Sequence, residues 1–209
     1  MSVDANNKYY DSRNNCNAII EKNSNTLLYG CKNTIIPNGV VNIGKNAFWF
    51  CEGLTSITIP NSVTSIEGGA FYECTGLTSI IIPDSVTSIG ESAFEYCKGL
   101  TSITIPDSVT SLEDSAFSNC TGLTSVKISN NLTTIGWRVF YKCSNLTSII
   151  IPDGVTSIER YAFQNCSKLA SIVIPNSTTI IRRYAFSNCG SLQTVNYKGT
   201  EEEWNKITI

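Results

Sequence analysis

The sequence predicts an α/β repeat solenoid of about seven stacked turns, in which short parallel strands alternate with helical or 3-10 turns. Two observations carry that expectation. The chain is self-similar with a period of 23 residues. Within each period, apolar residues first alternate, as in a half-buried strand, and then stand three apart, as on one helical turn.

Four columns fix the period. Phe recurs from Phe48 to Phe186, Cys from Cys51 to Cys189 and Leu from Leu54 to Leu192, seven times each. Pro37, Pro60, Pro83, Pro106, Pro152 and Pro175 share the lattice, with Ser129 in the gap. In chain order, a unit opens on a stretch such as "LTSITI" (100–105), whose Ile-x-Ile alternation suits a short strand with one buried face. The following Pro removes a ladder donor and ends that strand. "SVTSI" is a second extended piece with Val and Ile inward. "AFxxC" then sets Ala-Phe and Cys three apart, the spacing of a helical or 3-10 turn. Gly or Asn returns the chain to the next Leu. A lone unit has too little core to offset its ordering entropy, so units must stack around a shared interior. With parallel strands about 4.8 Å apart, the rod is about 30–35 Å long on its strand side.

Open rungs expose core and edge strand, so both ends need covers. Residues 1–30 are expected to form an N-terminal capping hairpin, because "NAIIEKNSNTLLYGC" (17–31) sets two apolar runs around Lys-Asn-Ser-Asn. The solenoid is expected over 31–197, with Cys31 standing where later units have Leu. Residues 198–209 are the C-terminal capping segment. Thr200 and Glu203 have capping-box spacing there, and Trp204 is placed to cover the last rung. Either a longer protein continues past Ile209 or this cap is minimal.

The 209 residues are 42% hydrophobic and 15% charged, the composition of a folded chain. A net charge of −2 argues against nucleic acid as a partner. No run approaches the ~18–20 apolar residues of a bilayer span, so no membrane insertion is expected. The opening "MSVDANNKYYDSRNN" is polar and is not a signal peptide. There is no His, which removes the commonest general base, the Ser-His and Cys-His pairs and the commonest metal ligand. No catalytic residue, metal or cofactor is expected.

The unit "IPxSVTSIxxxAFxxCxxLTSI" closely resembles the BspA-like leucine-rich repeats, over about residues 31–197. Such repeats occur mostly on bacterial surface proteins and in some parasitic protists. The resemblance implies a curved, right-handed solenoid, a cell-surface or secreted location, and roles in adhesion and protein binding. It implies no catalytic residues.

Nine cysteines permit three readings. A metal site would lack both C-x-x-C spacing and His. Disulfides between stacked rungs meet the Cα distance rule, but in-register side chains point the same way and the column holds an odd number. The favoured reading is a ladder of buried free thiols acting as small apolar fillers. Cys16 and Cys31 lie outside the column and could pair within the cap in an oxidising compartment.

Function is sought in the columns that vary. Before the Ala-Phe pair, the early units carry small or acidic residues. The later ones carry Trp137, Arg138, Arg160, Tyr161, Arg183 and Tyr184, with Tyr141 close by. Trp, Tyr and Arg dominate binding hot spots and pair by cation–π contact. On the first strand, Ile81, Lys127 and Ile150 occupy a column that alternates away from the core, and the two Ile are unusually apolar for exposed positions. Charge divides the same way. Residues 47–120 hold nine acidic and one basic residue, a balance of −8. Residues 121–198 hold eight basic and two acidic, a balance of +6. The bland explanation is independent drift of repeats; the sharper one is a basic, aromatic half that docks an acidic partner.

The leading expectation is therefore a non-enzymatic binding or adhesion module. It would take a protein or glycan ligand and be monomeric or weakly associated head to tail. Regular-polymer or ice binding through the Thr64-to-Thr179 ladder is an alternative. A carboxylate-based hydrolase using Glu67, Glu91 and Asp114 is the weakest. The N-x-Ser/Thr triplets at Asn119, Asn131, Asn145, Asn165 and Asn176 follow from the lattice and are read as incidental.

Overall fold

The computed structural model describes all residues, 1–209. The chain forms a β-solenoid with two short strands in each turn. The first strands are Ser56–Thr58, Ser79–Ile81, Ser102–Thr104, Ser125–Lys127, Ser148–Ile150, Ser171–Ile174 and Thr194–Tyr197. The second strands are Asn42–Ile43, Ser65–Ile66, Ser88–Ile89, Ser111–Leu112, Thr134–Ile135, Ser157–Ile158 and Ile180–Ile181. Paired strands run parallel at a 23-residue offset, so Ile57 stands on Ile80 and Ile66 on Ile89.

That register puts each core residue on its own image in the next rung. Phe48 to Phe186 form one column of near-parallel rings with centroids 5.1–5.8 Å apart. Leu54, Leu77, Leu100, Leu123, Leu146 and Leu169 are fully buried beside them. The thiols complete the interior. Each of Cys74, Cys97, Cys120, Cys143, Cys166 and Cys189 donates to the carbonyl of the Phe one rung back, at 3.1–3.3 Å. Burial pushes these thiols up from their ordinary value of 9.0, Cys74 to about 12 and Cys97, Cys120 and Cys143 well above it. All nine cysteines are free, including Cys16, which donates to the Ala18 carbonyl, and Cys31, which donates to that of Asn17.

The helical part of the expectation is corrected. The only helices are Arg13–Asn15 and Glu201–Trp204, both outside the stacked turns. The Ala-Phe-x-x-Cys spacing is real, but two backbone features stop it coiling. The residue before Ala-Phe is left-handed in every rung, for example Ser92 (φ 54°) and Tyr161 (φ 64°). So is the residue before Cys, from Phe50 (φ 55°) to Asn188 (φ 60°). Around these breaks, amides alternate between the next rung and isolated three-residue turns: Phe71 N–H donates to the Ala93 carbonyl at 2.7 Å and Glu73 N–H to that of Glu95 at 2.8 Å, while Tyr72 N–H donates back to that of Gly69 at 2.9 Å. Left-handed residues end helical propagation, and the inter-rung bonds recover the lost partners.

At the start, β1 (Tyr10–Asp11), β2 (Ile19–Glu21) and β3 (Thr26–Tyr29) pair antiparallel, and β3 continues in parallel onto Asn42–Ile43. The turn between β2 and β3 is Lys22-Asn23-Ser24-Asn25, and Ala18, Ile20 and Leu27 are fully buried against the first rung. At the other end, helix α1 (Glu201–Trp204) has the capping box its spacing predicts: Thr200 Oγ1 accepts from Glu203 N–H, and the Glu203 carboxylate accepts from Thr200 N–H. Trp204 packs edge-on to Tyr197 at 5.3 Å. No helix is long and apolar enough to cross a membrane.

The rung that lacks Pro is built differently. In four of the six Pro rungs a Ser hydroxyl two residues after the Pro donates to a Val carbonyl one rung back, as Ser108 does to Val86 at 2.7 Å, while Gly39 and Gly154 take that place in the other two. Asn131 occupies that place here. Ser129, fully buried, donates instead to the Val109 carbonyl at 2.7 Å. Asn130 and Asn131 reach across to Asp107, whose carboxyl lies below the usual range, first because of the Asn130 backbone amide and then its side-chain amide. The rung pairs backward only through Ser125–Lys127 and forward only through Thr134–Ile135.

Candidate functional site

The left-handed positions that abolish the helix also set the outer surface. They shape the segment around the Ala-Phe pair into one side of the rod, here called the turn side, where side chains from successive rungs meet. Such backbone is uncommon for bulky residues. Here it recurs in every rung, including those with Asn46, Ser92 and Ser115, so it belongs to the architecture and not to one special rung.

Seven of the ten predicted site residues come together on the turn side of the later rungs. The Arg138 guanidinium lies over the rings of Trp137 (4.3 Å), Tyr141 (4.9 Å) and Tyr161 (5.4 Å). Its Nε is buried without a hydrogen-bond partner, so the aromatic faces are its main counterpart. Tyr161 and Tyr184 stack at 5.6 Å with 2° between their planes, and Arg183 lies over Tyr184 at 4.9 Å. Arg160 is exposed beside them. The result is a continuous strip of rings carrying cations.

Ile81, Lys127 and Ile150 lie elsewhere, on the first-strand side. Ile81 and Ile150 are 82% and 64% exposed. A shallow open groove there is lined by Ile81, Asp84, Thr104, Asp107 and Lys127. The predicted set is thus two surfaces and not one.

Two surface features escape the column reading. Ile35, 74% exposed, continues the Ile81 column by two units toward the start. Trp49 and Phe50, edge to face at 4.7 Å, begin a second aromatic strip that runs to Tyr72 (5.9 Å) and Tyr96 (5.6 Å). The signal was available: Trp49 and Tyr72 share the Tyr141 column.

Charges on the two halves are not matched internally. The four ion pairs are Arg13–Asp11, Arg182–Glu159, Lys198–Asp153 and Lys206–Glu202. None involves residues 47–120. In the later half, only Arg182 and Lys198 have carboxylate partners, leaving six of eight cations without one.

Two of the carboxylates considered for hydrolysis hold backbone amides instead. Glu67 accepts from Lys45 N–H and Asp114 from Trp137 N–H, each at 3.0 Å. The Thr ladder is exposed, but four of its six hydroxyls already donate along the axis, as Thr156 does to the Thr133 carbonyl at 3.1 Å.

Comparison with known proteins accords with this geometry. The profile of the BspA type leucine rich repeat region matches residues 18–106 and 88–207, with six copies. The chain belongs to the BspA-type leucine-rich repeat family. No curated protein matches it. Among solved structures, a leucine rich cell surface protein from Faecalibacterium prausnitzii is 31% identical, with 83% of this chain and 62% of that one covered and a TM-score of 0.63. A leucine-rich repeat protein from Eubacterium ventriosum is 29% identical over 94% of this chain and 48% of its own, with a TM-score of 0.72. The chain therefore spans about half to three-fifths of these two relatives. The T. pallidum leucine rich repeat protein, 23% identical with a TM-score of 0.68 over 95% of this chain and 84% of that one, shares the fold. No catalytic family is among these matches.

Proposed function

We propose that this BspA-type chain is a non-enzymatic binding module of a cell-surface or secreted protein, and that its basic, aromatic strip docks an acidic partner. The observation that carries the reading is the coincidence, on one side of three rungs, of stacked rings and of arginines without carboxylate partners. Trp137, Arg160 and Arg183 share one column and are exposed. Arg138 and Tyr161 support them from the next. Exposed rings supply contact area at low entropic cost, and unpaired cations supply steering and register. A surface location is supported by the family and by the F. prausnitzii relative, a leucine rich cell surface protein. A right-handed, curved coil is part of the same reading, favoured by the strong rule for crossovers between parallel strands. Residues 1–30 and 198–209 act as covers for the ends.

The test uses a Glu-rich peptide as the probe and the triple variant Trp137→Ala/Arg160→Ala/Arg183→Ala as the control. The expected result is salt-sensitive binding that weakens on the order of a hundredfold in the variant, the combined effect of several hot-spot truncations. Unchanged affinity would remove the strip from the account.

A further inference from the structure

We propose that the acidic partner of the strip is a second copy of this chain, docked side by side and antiparallel through its turn side. The two-fold axis would pass between the rung of Asp114 and the rung of Trp137. This names the partner for the strip described above, and so presupposes that strip.

The order of charge along the whole chain is the first argument. Residues 1–46 hold five basic and three acidic residues, a balance of +2. Residues 47–120 carry −8 and residues 121–198 carry +6. Residues 199–209 hold three acidic and one basic, a balance of −2. The rod is therefore not a simple dipole, because both ends reverse the sign of their neighbouring half. Turned end for end, the series +2, −8, +6, −2 sets every block opposite one of the other sign. A two-fold interface requires one patch to be complementary to itself.

The second argument is local. One turn-side column reads Lys45, Gly68, Glu91, Asp114, Trp137, Arg160, Arg183 along the rod, and the axis pairs its last six members. Rotation about the midpoint of Asp114 and Trp137 sets Glu91 of one copy opposite Arg160 of the other. It also sets Gly68 opposite Arg183, and each contact occurs twice. Glu91, Asp114, Trp137, Arg160 and Arg183 are all exposed. Neither Glu91 nor Arg160 has a side-chain hydrogen bond or ion pair within its own chain, so both are free to meet a partner. Tyr72, on the rung of Gly68, adds an aromatic face for the incoming Arg183.

Sedimentation equilibrium of the full chain at low and high salt tests the assignment. The expected result is a mass that doubles and stops there, with association weakening at least about tenfold on adding salt. Glu91→Arg and Arg160→Glu should each weaken association at least about tenfold. Their equimolar mixture should recover a heterodimer, since each reversed charge then faces its opposite, and the double variant in one chain should recover the homodimer. Far-UV circular dichroism spectra like that of the wild type would confirm that both variants fold. A monomer at all concentrations, growth beyond the dimer, or a mixture that fails to associate would overturn the proposal. A monomeric wild type that still binds the Glu-rich peptide through the strip would overturn the dimer and leave the strip with a foreign partner. A monomer that binds no peptide would overturn both.

Discussion

Between Phe71 and Phe117 the stacked rings stand 5.1–5.2 Å apart, and between Phe140 and Phe186 they stand 5.4 Å apart. Residues 47–120 and 121–198 thus share one interior while carrying balances of −8 and +6 outside. The difference has a physical origin. A buried residue packs on its own image in the next rung, so a change in one rung must suit two neighbours. An exposed residue can also touch its image, as Tyr184 does Tyr161, but one of its faces is open to water, so a change there need not fit a closed space. Inside, the repeat is enforced; outside, the two halves are free to diverge and to acquire separate roles.

If the interior is shared, equivalent deletions in the two halves should cost the same. Phe94→Ala and Phe163→Ala should each lose about 3–5 kcal/mol, the usual cost of emptying a buried aromatic site. Urea midpoints would measure it. A difference of more than about 2 kcal/mol would mean that the halves do not have the same core.

The thiol column should respond to alkali in both halves. Burial raises the folded thiols, so the unfolded chain loses protons first as pH climbs past the ordinary value of 9.0. Stability is then intact below that value and falls above it, by about 1.4 kcal/mol per pH unit for each fully buried thiol. Cys97→Ala and Cys143→Ala should each flatten the slope by that amount. A pH-independent midpoint would contradict the buried ladder.

The rung at the boundary gives the smallest effect. Ser129→Ala leaves the Val109 carbonyl without its donor and should cost about 1–3 kcal/mol. Ser129→Pro combined with Asn131→Ser restores the repeat's own chemistry and should recover most of that loss. If the double change is as damaging as the single one, the hydroxyl substitution seen here is not a compensation.

The interior was legible in the sequence because its columns are nearly invariant: Phe, Leu and Cys recur without a gap. The missing helix was not. Ala-Phe-x-x-Cys has helical spacing, and of the fourteen left-handed residues that break it only Gly69 is a glycine, so composition gives no warning. The inter-rung amide bonds that make such backbone affordable appear only once the rungs are stacked. On the surface, Trp137, Arg160 and Arg183 were visible as a column. The packing of Arg138 among three rings was only partly so: Tyr161 shares its column one rung on, but Trp137 and Tyr141 reach it from other columns of its own rung. Trp49 and Phe50 stand in the acidic half, without the neighbouring arginines that mark the other strip.

The most direct measurement sets the two exteriors against each other. Glu91→Gln/Glu113→Gln and Arg160→Gln/Arg183→Gln remove equal charge from the two halves, and each is titrated with the Glu-rich peptide at low salt. Binding should weaken on the order of tenfold or more for the arginine pair and stay the same or tighten for the glutamate pair. Equal loss from both, or loss from the glutamate pair alone, would contradict a binding surface built on the basic half.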